Sequence, residues 1–76
     1  MLTAYILLRV DSGVEREVLE SLLDFDEVEE AELIYGEWDV IAKLNIDDLE
    51  KLSEFVLTAI RPIKGVRQTS TLIVSD

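Results

Sequence analysis

The chain has 76 residues, with 7 Lys or Arg against 17 Asp or Glu, giving a formal net charge of −10. That length holds a single domain, residues 1–76, and the acidic balance excludes a reader of duplex phosphates, which needs a basic face. Histidine and cysteine are both absent, which removes the imidazole base, the thiol nucleophile, disulfides and zinc or iron–sulfur ligand sets. Hydrophobic residues make up 49%, too much for a disordered chain despite the charge.

Residues 2–10 (LTAYILLRV) are the apolar run nearest the N-terminus. The run is too short for a membrane span, contains Arg9, and lacks a basic lead and a small-residue cleavage site. It reads as a strand, and the chain as cytoplasmic, with no membrane or nucleic-acid partner. Asp11-Ser12-Gly13 breaks it, and Ser12 followed by Glu15 predicts a capping box opening a helix over 13–23. Val14, Val18, Leu19, Leu22 and Leu23 recur on one helical stripe. A strand follows at 28–35, a tight reversal at Gly36-Glu37, and an antiparallel strand at 38–46.

Asp47, with Glu50 three residues on, predicts the start of a second helix. Leu49, Leu52, Val56, Ala59 and Ile60 form its buried stripe, Phe55 flanks it, and Pro62 ends it. The last strand spans 66–74. The order β-α-β-β-α-β predicts an α+β, ferredoxin-like plait: a four-stranded antiparallel sheet, order 4-1-3-2, with two helices on one face.

Alternation along the strands divides the sheet into faces. The sets Leu2, Ala4, Ile6, Leu8, Val10 and Trp38, Val40, Ala42, Leu44, Ile46 are apolar throughout and should meet the helices. The opposite face is mixed, and Tyr5, Leu7, Ile41, Thr71 and Ile73 are expected to form an apolar band on it. Each large side chain gains roughly 1.5–3 kcal/mol on burial, so a wet band forgoes several kcal/mol. A domain of this size without disulfide or metal is often completed by oligomerisation. Face-to-face packing of two copies is therefore expected, with Tyr5, Leu7, Ile41 and Ile73 in the dimer interface.

The inventory is poor in catalytic groups. Lys43 as an amine nucleophile competes with the simpler reading of a strand lysine reaching water. The acidic stretch from Asp24 to Glu32 lacks the glycine of a calcium loop and reads as a solvated edge that deters aggregation. The chain is read as a non-enzyme without cofactor or metal. Arg61, Lys64 and Arg67 cluster after the second helix, too few for nucleic acid. One constellation remains: Tyr35, Gly36, Glu37, Trp38 and Asp39 at the hairpin tip, with Thr69, Ser70 and Thr71 early in the last strand. Hairpin amides suit a carboxylate and Asp39 an ammonium group, which together fit a zwitterion. The alternative is structural: Gly36 makes the turn, Trp38 packs under the second helix, and the threonines are ordinary strand formers.

The Gly36-x-Trp38-Asp39 tip, then Gly65-Val66 and the Thr69-Ser70-Thr71-Leu72-Ile73-Val74 ending, resemble the RAM domain, the C-terminal effector domain of Lrp/AsnC-type transcription regulators. The resemblance covers essentially the whole chain. It implies a homodimer that assembles further, as a ring of dimers, and an amino-acid effector at contacts between dimers. By matching position, Tyr35, Gly36, Trp38 and Asp39 form the hairpin side of that site, with Thr69 and Thr71 nearby. The sequence starts at the first strand, without the family's helix-turn-helix module, which implies a stand-alone RAM protein without direct DNA binding. Such a protein acts by amino-acid sensing or by mixing into assemblies of full-length regulators. An interaction module that binds no metabolite, an ACT-like allosteric module and a small plait-fold monooxygenase are the other readings of the same element order.

Overall fold

The computed structural model describes residues 1–75. Its elements are β1 (Leu2–Val10), α1 (Glu15–Leu23), β2 (Val28–Leu33), β3 (Val40–Ile46), α2 (Leu49–Phe55), a π-helical turn (Val56–Ile60) and β4 (Val66–Ile73). The strands form one antiparallel sheet in the order β2-β3-β1-β4. This is the expected 4-1-3-2 plait read from its other edge.

The period-2 pattern places the core. Ala4, Ile6 and Leu8 of β1 and Val40, Ala42 and Leu44 of β3 have no exposed surface. They form one cluster with Val18 and Leu22 of α1, Leu52 of α2 and Val56 and Ile60 of the π turn, so both helical segments lie on the same side of the sheet. Phe25, just after α1, meets Phe55 of α2 edge-to-face at 5.3 Å between ring centres, a geometry that adds about 1 kcal/mol beyond area burial. Phe55 is thus a core residue and not a flank. Leu23 and Leu49, expected on the buried stripes, are instead 50% and 57% exposed.

Both helix starts differ from the sequence reading. Asp11-Ser12-Gly13 is consumed in a turn closed by the Val14 N–H on the Asp11 carbonyl, with Gly13 at φ +94°. Helix α1 therefore starts at Glu15, with Val14 at the cap position and no side-chain cap bond. Half of the capping box survives in altered form: the Glu15 carboxylate accepts from the Gly13 N–H at 2.9 Å. In α2 the cap is Asp48, not Asp47. Asp48 is extended, and its carboxylate accepts from the Lys51 N–H at 2.8 Å. Asp47 instead pairs with the Lys51 ammonium one turn on, at 3.1 Å, and that hydrogen bond raises the lysine's pKa. Asp48→Ala should lower unfolding stability by about 1 kcal/mol in a denaturant titration. Asp47→Ala should change it far less, because an exposed ion pair is well screened.

The second helix widens before Pro62 stops it. The Arg61 N–H bonds the Val56 carbonyl five residues back, and the Thr58 hydroxyl donates to the Glu54 carbonyl at 2.7 Å.

The register sets the helix-free face and corrects one expectation. Ile6 pairs with Thr71 and Ala4 with Ile73, while Leu7 pairs with Ser70 and Tyr5 with Leu72. Directly paired residues share a face. Thr71 and Ile73 therefore lie on the helix side, and Leu72 takes the place foreseen for Ile73. Both phases of β4 are mixed in polarity, so composition could not choose between them. The helix-free face is centred on Leu7, Ile41, Tyr5 and Leu72, with Glu30, Glu32 and Lys43 along the β2 side. At one end Thr3 donates to Asn45 at 2.9 Å, and Asn45 donates to Glu29. At the other end Arg9 lies over the Trp38 ring, 5.2 Å from its centre. The helix-free face thus has an apolar centre and a hydrogen-bonded polar rim.

Candidate functional site

The loop between β2 and β3 is wider than a two-residue reversal. β2 ends at Leu33 and β3 begins at Val40. The loop closes through the Ile34 N–H on the Asp39 carbonyl at 3.0 Å. Asp39 also ties the loop to β1: its N–H donates to the Leu8 carbonyl at 2.8 Å, and its carboxylate accepts from the Val10 N–H at 2.9 Å. Gly36 has φ +119°, and a Cβ there would meet nothing within 4 Å, so glycine is required by the backbone alone.

Behind this loop lies a cleft of about 450 Å³, lined by Gly13, Glu15, Arg16, Leu33, Ile34, Tyr35 and Asp39, within the size range of small-molecule sites. One wall is the start of α1 and the other is the end of β2 with the loop. The charges are mixed. Asp39 and Glu15 each spend an oxygen on a backbone N–H and keep a second one. The Arg16 guanidinium meets no carboxylate among the described residues. Leu33, Ile34 and Tyr35 supply apolar surface. The arrangement can hold a carboxylate at Arg16, an ammonium group at Asp39 or Glu15, and an apolar side chain between them.

Of the residues singled out from sequence, the cleft unites Tyr35 and Asp39. Gly36 and Glu37 stand exposed at the tip. Trp38 leaves the apolar set it was assigned to, because the loop breaks the alternation before Val40. It packs against Arg9 and not under the second helix. Thr69 and Thr71 lie on β4, across β1 from the hairpin, and line other cavities. Gly13, Glu15, Arg16, Leu33 and Ile34 were not foreseen. The one signal for them is the plait itself, which returns the start of α1 to the end of β2.

The family model of the Lrp/AsnC ligand binding domain matches residues 3–76, and the chain belongs to that family. An HTH-type transcriptional regulator of Pyrococcus horikoshii is 39% identical over 74 residues, covering 93% of this chain and 49% of the relative. The chain thus spans about half the length of the curated relatives it matches. The crystal structure of FFRP-DM1 superposes with a TM-score of 0.95 at 44% identity, covering 99% of this chain and 100% of that one. The L-Met complex of a transcriptional regulator from Neisseria meningitidis superposes at 0.89 with 25% identity, covering 99% and 50%. The matching model is that of a ligand binding domain, and the relatives that carry it are named as HTH-type transcriptional regulators. No helix among the described residues is long and apolar enough to cross a membrane.

Proposed function

We propose that this chain is an amino-acid-responsive effector domain that works as a cytoplasmic oligomer linked to transcription regulation. The observation that carries the reading is the cleft between α1 and the hairpin. It sets one guanidinium, two partly used carboxylates and an apolar wall around a volume suited to an amino acid. A related regulator has been solved as a complex with L-Met, which supports the ligand class. Dimers pair through the helix-free face and assemble further as a ring. Tyr35 is fully exposed in the single chain, and a neighbouring dimer would cover it. An effector that binds one assembly better than another shifts the population toward it, which is how binding becomes a signal.

Calorimetry with a panel of amino acids tests this. At least one should bind, and Asp39→Asn or Arg16→Gln should weaken it about tenfold or more, the loss of one charge-assisted bond. Asparagine keeps an acceptor for the Val10 N–H, so folding should change little. No heat from any amino acid, with a folded oligomer in the cell, overturns sensing. That outcome favours the second reading, a structural module that co-assembles with full-length regulators and binds no metabolite. The bond from Val10 to Asp39 gives that carboxylate a purely structural use and is the observation in its favour.

A further inference from the structure

On the opposite side of β1 from the hairpin, two cavities meet at one residue. The first, of about 340 Å³, is lined by Arg61, Val66, Arg67, Gln68 and Thr69. The second, of about 430 Å³, runs between the second helix and β4 and includes Leu49, Leu57, Thr71 and Ile73. Arg61 lines both. In a chain with 17 acidic residues, neither lining contains a carboxylate. Arg67 donates a hydrogen bond to Asp11, just past the end of β1, which raises the pKa of that guanidinium and fixes its direction. The Arg61 guanidinium meets no carboxylate among the described residues, so it is the uncompensated cation of the pair. Leu57, one helical turn before Arg61, is 57% exposed, a cost in water that an apolar ligand would reduce. The π-helical turn Val56–Ile60 lines the second cavity through Val56 and Leu57 and leads into Arg61, a distortion that recurs at functional sites.

We propose that this double cavity is a second ligand site, for a small monoanionic carboxylate with an apolar body. The carboxylate lies between Arg61 and Arg67, where Gln68 and Thr69 add neutral polar groups, and the hydrocarbon lies along Leu57, one helical turn before Arg61, beside Thr71. The contrast with the hairpin cleft is chemical. That cleft has carboxylates in its lining for an ammonium group; this one has none in its lining, and the nearby Asp11 is held by Arg67. A free amino acid would bury its ammonium unpaired here, whereas the same carbon skeleton without nitrogen would not. Thr69 and Thr71 thereby serve this site.

An NMR titration with isocaproate, which is leucine without its amino group, tests the proposal. Leucine and inorganic phosphate are the comparison ligands. Isocaproate should give saturable shifts at Leu57, Arg61, Arg67 and Thr71. Arg61→Gln, at an exposed position, should weaken it about tenfold or more while the spectrum stays folded. No saturable shift with isocaproate, or an unchanged affinity in Arg61→Gln, overturns the site. Equal binding by phosphate overturns the apolar half of the claim, and equal binding by leucine at these residues overturns the discrimination against nitrogen. The result is independent of the hairpin cleft, whose resonances report amino-acid binding separately.

Discussion

The parent should run as a dimer or larger in light scattering, and Leu7→Glu should leave a folded chain that runs as a single copy at the same concentration. Leu7 sits at the centre of the helix-free face, paired with Ile41 on one side and Ser70 on the other. In an isolated chain a glutamate there reaches water and costs little. In a face-to-face dimer it would bury an unpaired carboxylate, near its own copy if the two-fold passes close by. An uncompensated buried charge costs several kcal/mol; about 4 kcal/mol corresponds to roughly a thousandfold loss of dimer affinity. Ile73→Glu is the matched control, because Ile73 lies on the helix side of β4 and leaves this face untouched. A Leu7→Glu chain that keeps the parent's mass would show that copies meet elsewhere.

Gly65→Ala should be the most destabilising single-methyl change in the chain. Gly65 has φ +99°, and a Cβ there would lie 2.6 Å from Cγ2 of Val14. Two costs combine: a left-handed backbone for a residue with a side chain, about 1–3 kcal/mol, and overpacking against a half-buried valine, about 1–3 kcal/mol. A loss near 3 kcal/mol would lower Tm by about 12 °C or more in a domain of this size. Gly36→Ala separates the two, because its backbone is also left-handed at φ +119° but the space around it is open. If both variants melt together, the close approach to Val14 carries no energy. Val14→Ala should partly rescue Gly65→Ala. Val14 immediately precedes Glu15 and Arg16, so Gly65→Ala should also weaken any ligand in the hairpin cleft.

The sequence alone determined the element order, and with it the plait, because local periodicity is written residue by residue. Apolar positions two apart made β1 and the inner face of β3; apolar positions three and four apart made the buried side of α1; glycine and proline set the breaks. Composition was equally legible: the absence of histidine and cysteine removes the imidazole base, the thiol and the usual zinc ligands. The hairpin tip, too, could be seen from Gly36 to Asp39.

What the tertiary structure decided was whatever depends on the pairing of distant segments. The phase of β4 is the clearest case: Ile73 and Leu72 are both apolar, and only the register of Ile6 on Thr71 assigns one to each face. Trp38 looked like the continuation of the Val40 stripe, but the loop closed by Ile34 and Asp39 ends the alternation first. Arg16 belongs to a helix nearly twenty residues before the hairpin, and it enters the cleft because the crossover returns α1 along β2. Arg61 gained its place between two cavities from a widened turn that no propensity foretold. Periodicity is a property of neighbours along the chain, whereas a site is a property of neighbours in space, and the sheet's register is what converts one into the other.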